Sequence, residues 1–359
     1  MTEFETPVRS NRAETSLNLG GIVDRASRGT PLPPIVSLFS GAGGLDHGFK
    51  DEGFDIAIAF DRSAAAIETH KRNFPKSAGV AQDLTALGPL GVLRYALGAI
   101  PPGSPIGIIG GPPCQGFSRA NVKRNQSDPR NRLPALYLKI IGELKQTYDV
   151  QFVVFENVLG MRDRKHKRTY DALVAGLAKL GFHVSEEELC ALDFGVPQTR
   201  KRIVLTAVRR KDEIPNLRPR RCRGQVSVRE AIGGLQEPLF FSRNIQPDAI
   251  PLHANHWTMN PRSERFKHGT IKSGGRCFKK LDWDKPSPTI AFGHREIYVH
   301  PSGKRRLSIY EAMLLQGFPK SFVLAGNLSE QVEQISNAVP PPLAKSVASA
   351  VRRYLDKLP

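Results

Sequence analysis

The chain has 359 residues, of which 40% are hydrophobic, enough for one large domain with a sizeable core and a second, smaller one. Its 52 Lys and Arg against 34 Asp and Glu give a net charge of +18, which favours a polyanion such as nucleic acid as partner. No apolar run reaches the roughly 18 residues of a membrane span, and four widely spaced cysteines without a CxxC pair argue against a zinc ribbon or a disulfide framework.

The first 33 residues are polar and end in a Pro-rich stretch, so we expect a leader at 1–33. From 34 to 208, short apolar runs alternate with amphipathic segments, a rhythm that predicts strands joined by helices. The predicted strands are 34–41, 54–61, 79–84, 105–111, 152–157, 183–195 and 202–208, and the predicted helices are 64–74, 135–146 and 170–181. This order predicts an α/β fold with a doubly wound, mostly parallel sheet whose functional loops follow the carboxyl ends of the strands.

Beyond residue 208 the alternation stops. The segment 209–301 is rich in Pro, Gly, His and Arg, and residues 209–285 hold 17 Lys and Arg against 8 Asp and Glu, half of the net charge. We expect a second, smaller, irregular domain at 209–301. Residues 302–359 return to helical spacing and are predicted to pack back onto the domain at 34–208.

A glycine-rich turn follows the first predicted strand, in "SLFSGAGGLDHGF". Gly41 and Gly43 would let the backbone approach a ligand near the amino end of a helix. The dinucleotide fingerprint requires a glycine where this chain has Asp46, which weakens a dehydrogenase interpretation. Asp61 and Asp83 follow the next two strands, where carboxylates suit a ribose and an adenine amino group. The three strand ends together favour an adenosine-containing ligand.

The stretch "GGPPCQGFS" places Cys114 in a proline-rich turn after the fourth predicted strand. Core cysteines usually have apolar neighbours, so this thiol is a candidate nucleophile. Glu156 ends the fifth strand, and adjacent strand ends lie roughly 5 Å apart, so both groups can face one substrate. In "QTRKR", Gln198, Arg200 and Arg202 alternate and share a face, where two guanidinium groups could orient the Glu156 carboxyl and hold substrate oxygens.

Two metal-site interpretations of the cysteines and histidines fail. A zinc nucleobase deaminase needs a second cysteine three positions after the first, where this chain has Phe117. The spacing of Cys222, His253, His256 and Cys277 fits no zinc site, so core or solvated roles are favoured and we expect no metal.

The motifs taken in chain order resemble those of the cytosine-C5 DNA methyltransferases, of the bacterial modification type. They are "SLFSGAGGL", "DLT", "GGPPCQGFS", "FENV", "QTRKR", "RRLSIYEAMLLQGFP" and "ISNAVPPPLA", and the resemblance runs from Pro34 to Val351 apart from the variable segment. It implies the Rossmann-like fold of the methyltransferases that use S-adenosylmethionine. The cofactor-binding residues that it implies are Phe39, Gly41, Gly43, Leu45, Asp61, Arg62, Asp83, Leu84, Leu133 and Asn337.

The resemblance also implies a mechanism. Cys114 would attack C6 of the target cytosine, Glu156 would donate a proton to N3, and C5 would then take the methyl group. Arg200 and Arg202 would hold Glu156, the cytosine O2 and a phosphate, with their division of labour left open. Because a base stack hides the faces of the ring, the cytosine must be flipped out of the duplex.

Duplex DNA is the implied partner, with 209–301 as the target recognition domain and the basic segment 119–132 as a loop that closes over DNA. The implied DNA contacts are Gln115, Ser118, Arg130, Gln198 and Thr289. The chain departs from the family at Arg62, where aromatic or aliphatic bulk is usual, so its guanidinium plane would stack on adenine.

We expect a cytoplasmic, nucleoid-associated monomer that acts in restriction-modification, separately from a cognate restriction endonuclease. Two alternatives remain: a tRNA cytosine-C5 methyltransferase of the same family, and a non-catalytic DNA-binding homologue. The long basic segment and "PCQ" favour duplex DNA over tRNA. The presence of both Cys114 and Glu156 favours an enzyme over a binding module.

Overall fold

The computed structural model describes residues 31–113, 132–222, 224–242, 246, 249–268, 271, 279–289 and 298–358. The strands are β1 (Ile35–Leu38), β2 (Ile56–Asp61), β3 (Ala78–Ala81), β4 (Pro105–Gly110), β5 (Asp149–Asn157), β6 (His183–Cys190), β7 (Gln198–Thr199), β8 (Lys201–Val208), β9 (Leu239–Phe240), β10 (Trp257–Thr258), β11 (Lys279–Lys280), β12 (Ser287–Pro288) and β13 (Tyr298–Val299). The helices are α1 (Gly44–Asp51), α2 (Ala64–Asn73), α3 (Leu84–Leu97), α4 (Leu133–Thr147), α5 (Lys167–Lys179), α6 (Val228–Ile232), α7 (Glu264–Lys267), α8 (Ile309–Leu315), α9 (Leu328–Asn337) and α10 (Pro341–Leu355).

Seven of the described strands form one sheet in the order β3-β2-β1-β4-β5-β8-β6. Strands β1 to β5 pair in parallel, whereas β8 runs antiparallel to both β5 and β6. The predicted α/β fold with a mostly parallel, doubly wound sheet is therefore confirmed. The strand order reverses direction between β1 and β4, the kind of position at which open α/β sheets bind their ligands.

The central strands are apolar on both faces because helices cover both sides of the sheet. Ile109 and Val154 face a layer that includes α1 and α10, while Ile108 and Val153 face a layer that includes α4 and α5. These four side chains are fully buried. The candidate site lies at the carboxyl ends of these strands.

The C-terminal helix α10 packs closely against α1. A Cβ at Gly44 would lie 2.2 Å from the Val339 carbonyl oxygen, and one at Gly48 would lie 2.3 Å from the Lys345 backbone nitrogen. Side chains at either position would force the two segments apart. The close packing brings the end of α9, with Asn337, to the edge of the sheet that holds the glycine-rich turn.

The structure differs from the prediction in detail. The predicted strand 183–195 ends at Cys190, and a 3-10 helix follows at Ala191–Phe194. The strand predicted at 79–84 ends at Ala81, as β3, because Asp83 caps the amino end of α3. Residues Leu32–Pro359 form one compact unit, and the domain boundaries at 208 and 301 stay predictions.

None of the helices in the described ranges has the length and the apolar run that crossing a bilayer requires.

Candidate active site

A cavity of about 690 Å³ opens at the carboxyl ends of β1, β2, β4 and β5. Its walls bring together residues that the sequence analysis assigned to two separate roles. From the predicted cofactor set they include Phe39, Gly41, Leu45, Asp61, Arg62, Asp83, Leu84, Leu133 and Asn337, and from the predicted catalytic set Glu156, Arg200 and Arg202. One cavity is therefore lined by residues of both predicted sets.

Gly43 is the predicted cofactor residue that does not line this cavity. It caps the amino end of α1 with a φ of 88°, which favours glycine. A Cβ at this position would lie 2.6 Å from the Phe74 ring and 3.1 Å from the His70 ring. Gly43 thus allows the turn to pack directly on α2, and it supports the cavity without lining it.

The turn before α1 is bonded to the end of β2. The backbone N–H groups of Gly41 and Ser63 donate to the two oxygens of Asp61 at 2.9 and 2.8 Å. Burial raises the pKa of Asp61, against the opposing effect of these two bonds and of Arg62. Each carboxylate oxygen has a second lone pair for another donor, which suits a pair of ribose hydroxyls.

Phe39 and Gly41 both have a φ of 55°, in the left-handed region. For a phenylalanine this conformation is strained, and such strain concentrates at ligand-binding sites. No atom lies within 4 Å of a Cβ built at Gly41, so its glycine is explained by backbone conformation and not by crowding. The turn therefore exposes its backbone to the cavity.

The starts of α3 and α4 and the end of α9 also line the cavity. Asp83 accepts a hydrogen bond from the Thr85 backbone N–H at 2.7 Å and is exposed, which leaves its second oxygen available. Leu133 is the first residue of α4 and Asn337 the last of α9. Their apolar and amide groups suit an adenine ring.

Glu156 stands at the end of β5, and its side chain is 8% exposed. The Nε of Arg202 lies 2.8 Å from Glu156 Oε1. A Cβ at Gly111 would lie 2.9 Å from Glu156 Oε2, so glycine at 111 leaves room for the carboxyl. Burial raises the pKa of Glu156, although Arg202 and Arg200 both act to lower it. The carboxyl is therefore suited to carry a proton and donate it.

The structure separates the contacts of the two arginines, which the sequence left open. Arg202 holds Glu156. Arg200, only 1% exposed, instead donates from Nη2 to the Ser336 carbonyl oxygen at 2.8 Å. Arg200 is thus bonded to the backbone next to Asn337. It lies between β7 and β8 and not within a continuous strand.

Asn157 is a residue whose role the sequence analysis missed. Its Nδ2 donates to the Pro112 carbonyl oxygen at 3.0 Å, and its Oδ1 accepts from the Val158 N–H at 2.9 Å. Pro112 and Pro113 line the cavity. The sequence clue to Asn157 was its place beside Glu156 in "FVVFEN". In the structure its side chain ties the turn at Pro112 and Pro113 to β5.

Cys114 directly follows Pro113 and lies outside the described residues, as do the predicted DNA contacts Gln115, Ser118 and Arg130. The other two predicted DNA contacts are described. Thr289 is exposed, and its hydroxyl donates to the Thr199 carbonyl oxygen at 2.8 Å. Gln198 is fully buried, so it offers no surface to DNA in this conformation.

Three of the four residues considered for a metal have other surroundings, and the fourth, Cys277, lies outside the described residues. His256 is buried, with ring nitrogens 3.0 Å from the Ser308 hydroxyl and 2.9 Å from the Gln236 carbonyl oxygen. His253 stacks on Tyr310 with 4.1 Å between ring centroids, and Cys222 is exposed. Within the described ranges, no group of three or more His, Cys, Asp or Glu side chains could hold a metal ion.

Comparison with known proteins identifies related chains over nearly the whole length. The family model described as C-5 cytosine-specific DNA methylase matches residues 34–353. The Type II methyltransferase M.MthTI of Methanothermobacter thermautotrophicus is 30% identical over 90% of this chain and 98% of its own. The Type II methyltransferase M1.HphI of Haemophilus parahaemolyticus is 32% identical over 88% of this chain and 86% of its own.

Solved structures show the same fold. A candidate DNA modification methyltransferase encoded in an E. coli prophage superposes with a TM-score of 0.73 at 23% identity, covering 91% of this chain and 100% of that one. The S. pombe Dnmt2 methyltransferase gives a TM-score of 0.60 at 18% identity, covering 90% and 98%. The cavity at the switch point therefore belongs to a fold that several methyltransferases share.

Proposed function

The chain belongs to the C-5 cytosine-specific DNA methylase family and is a DNA (cytosine-5-)-methyltransferase, and we propose how its residues carry out that reaction. One observation carries the proposal: Glu156, held by Arg202, shares one cavity with residues suited to an adenosine-containing cofactor. The turn that leads to Cys114 lines the same cavity. A nucleophile, a proton donor and a methyl donor would thus meet at one place.

S-adenosylmethionine is the proposed methyl donor, and the described residues fit it. The Asp61 carboxyl, held by two backbone N–H groups, keeps lone pairs for ribose hydroxyls. The cavity of about 690 Å³ lies within the usual range for small-molecule sites. When bound, this cofactor supplies a methyl group on a positively charged sulfonium. Asp83, Leu133 and Asn337 would surround its adenine, and Arg62 would stack on the ring.

In the proposed reaction the Cys114 thiolate forms a bond to cytosine C6. Glu156 donates its proton to N3, so that the ring does not carry a negative charge as the bond forms. Arg202 keeps the Glu156 carboxyl oriented towards the base and would contact the cytosine O2. C5 would take the methyl group from the sulfonium, whose sulfur would keep the electron pair of the broken C–S bond and leave as a neutral thioether. C5 then loses its proton to a base, N3 returns its proton to Glu156, and the thiolate leaves from C6 as the C5–C6 double bond re-forms.

Duplex DNA is the proposed form of the substrate. A stacked cytosine hides the ring faces that the reaction needs, so the base must be extruded, at a cost of a few kcal/mol. The positive charge of residues 209–285 would contact the duplex and help to offset that cost. We propose that 209–301 reads the target sequence, with the enzyme acting as a monomer on chromosomal DNA in the cytoplasm.

Restriction-modification is the proposed biological setting. It is supported by the curated relatives, which are named as Type II methyltransferases and match about nine-tenths of this chain. A cognate restriction endonuclease would then act as a separate protein on the same site.

The test is transfer of tritiated methyl groups from S-adenosylmethionine to mixed-sequence genomic duplex DNA. We expect label in DNA with the wild type, none with Cys114→Ser, and an SDS-stable complex with a duplex that contains 5-fluorocytosine. Cys222→Ser, which alters an exposed free cysteine, is the matched control and should keep full transfer. Transfer that survives in Cys114→Ser would contradict the covalent mechanism, and label in tRNA but not in DNA would overturn the assignment of substrate.

A further inference from the structure

Two side chains hold the backbone on both sides of Asn337: Arg200 on one side, and on the other Gln316, which is itself bonded to Gln198. Arg200 donates to the Ser336 carbonyl oxygen at 2.8 Å. Gln198 Nε2 donates to Gln316 Oε1 at 2.8 Å, and Gln316 Nε2 in turn donates to the Ala338 carbonyl oxygen at 2.7 Å. The carbonyl groups immediately before and after Asn337 are therefore both fixed, and two of the residues involved, Gln198 and Arg200, belong to one short segment.

These bonds lie in the interior. Gln198 and Gln316 are fully buried and Arg200 is 1% exposed. Buried polar groups need partners, and reversing the Gln316 amide would place its NH2 against that of Gln198 and its oxygen against the Ala338 carbonyl. The observed orientation of the two amides is therefore strongly favoured, and the linked hydrogen bonds form a rigid support.

The support acts at the end of a helix, where it is needed. The last carbonyl groups of an α-helix have no partner within the helix. Helix α9 ends at Asn337, so the Ser336 carbonyl is one of these groups, and Arg200 supplies its donor. Without such bonds the end of α9 would be free to fray and the Asn337 side chain would lose its fixed position.

We propose that Gln198, Gln316 and Arg200 are positioning residues for the cofactor, which clamp the backbone around Asn337 and so set the affinity for S-adenosylmethionine. The inference rests on the proposed function, in which Asn337 contacts this cofactor. It gives Gln198 an interior role in place of a direct contact with DNA. The same segment continues to Arg202, which holds Glu156, so the cofactor side and the catalytic side of the cavity share one support.

The first experiment is equilibrium dialysis of tritiated S-adenosylmethionine against the full chain without DNA. Gln316→Met keeps the size of the side chain but loses both hydrogen bonds, and we expect its Kd to rise about fivefold or more, as for one buried hydrogen bond. Gln316→Asn, one methylene too short to reach both partners, is the second variant and should also weaken binding. For both variants kcat at saturating cofactor should change less than Kd, because Glu156 and Arg202 are untouched.

Gln331→Met is the matched control. Gln331 lies on α9, the helix that ends at Asn337, but near its start; it is 6% exposed and donates to the Gly326 carbonyl oxygen at 2.8 Å. The same chemical change there should lower Tm and leave the cofactor Kd within about twofold of wild type. A merely structural role for Gln316 would lower Tm in both variants and change Kd in neither.

A double-mutant cycle with Asn337→Ala tests whether the clamp acts through Asn337. We expect Gln316→Met to weaken binding in the wild-type background and to add little once Asn337 is truncated. Additive effects, or a wild-type Kd in Gln316→Met, would overturn the clamp while the wild type still binds cofactor. A wild type that binds no S-adenosylmethionine would instead overturn the proposed function, and this inference with it.

Discussion

Arg202 Nε lies 2.8 Å from Glu156 Oε1, and both side chains are about nine-tenths buried. The guanidinium is planar and always charged, so it fixes the direction of the carboxyl without competing for its proton. Burial nevertheless raises the pKa of Glu156. The orientation of the carboxyl is therefore set by Arg202, and its ability to hold a proton is set by its removal from water.

The first prediction concerns Glu156→Gln. The amide keeps the size of the side chain, and its oxygen can still lie beside the Arg202 guanidinium, but it cannot transfer a proton to the base. We expect single-turnover methyl transfer to fall by about 10²- to 10⁴-fold, the usual contribution of general acid catalysis, with the Kd for S-adenosylmethionine unchanged. The control is Glu68→Gln, at an exposed ion pair with Arg72, which should transfer at the wild-type rate. A rate for Glu156→Gln close to wild type would remove Glu156 from the mechanism.

The second prediction is a pH dependence of stability. Burial raises the pKa of Glu156 above the ordinary value of 4.5, so the folded protein keeps this proton at pH values where the unfolded chain has lost it. That contribution to stability is complete below the unfolded pKa and is lost as pH rises through the folded pKa. Glu156→Gln has no titratable carboxyl at this position, so it lacks this pH-dependent contribution to stability.

The Tm of wild type relative to Glu156→Gln should therefore decline as pH rises from about 4.5 through the folded pKa of Glu156. Differential scanning calorimetry of both proteins over a pH series measures this. A wild type that gains stability over the variant as pH rises would show that the Glu156 pKa is lowered in the folded protein, and that Arg202 outweighs burial.

The sequence predicted the central sheet because its strands are continuous apolar runs, such as "PIGII" and "FVVF", that only a doubly covered sheet buries. It did not predict α3, where Pro89 and Gly88, with a φ of 67°, kink the helix. It also did not predict α9, although Asn327 and Glu330 form a capping box that marks its start.

The sequence predicted those members of the candidate site that lie at the ends of recognisable strands, such as Asp61 and Glu156. The roles of Arg200 and Arg202 could not be separated, because alternation along a strand gives both the same face and the interruption at Arg200 is visible only in the structure. The burial of Gln198 depends on Gln316, more than a hundred residues away. Long-range contacts of this kind leave no local pattern in one sequence.

The third prediction concerns Asn157→Ala. This change removes the hydrogen bond to the Pro112 carbonyl and leaves the Pro-Pro turn before Cys114 without its tie to β5. We expect covalent trapping on a 5-fluorocytosine duplex to slow by about fivefold or more, as for the loss of a buried hydrogen bond, with the cofactor Kd unchanged.

Asn255→Ala is the matched control for Asn157→Ala. Asn255 is 1% exposed and exchanges two hydrogen bonds with the backbone of Leu324, and it does not line the cavity. Its loss should lower Tm at least as much and leave the trapping rate unchanged. Equal slowing in the two variants would mean that general loosening of the fold, and not the position of the turn, controls the attack.

The fourth prediction compares two glycines. A Cβ at Gly111 would lie 2.9 Å from Glu156 Oε2, so Gly111→Ala must displace the carboxyl that Arg202 orients. A shift of about 1 Å at a reacting group can cost up to 10²-fold in rate, and we expect a fall of at least about tenfold in single-turnover methyl transfer.

Gly142→Ala is the counterpart, within α4. Its Cβ would lie 3.6 Å from a Leu180 methyl group, an ordinary contact, so alanine fits there without displacing a neighbour. We expect this variant to be more stable by about 0.5–1 kcal/mol, because alanine favours helix and restricts the unfolded chain. Full activity in Gly142→Ala beside impaired activity in Gly111→Ala would locate the sensitivity at the Glu156 carboxyl. Normal transfer in Gly111→Ala would mean that Glu156 reaches the base from a different position.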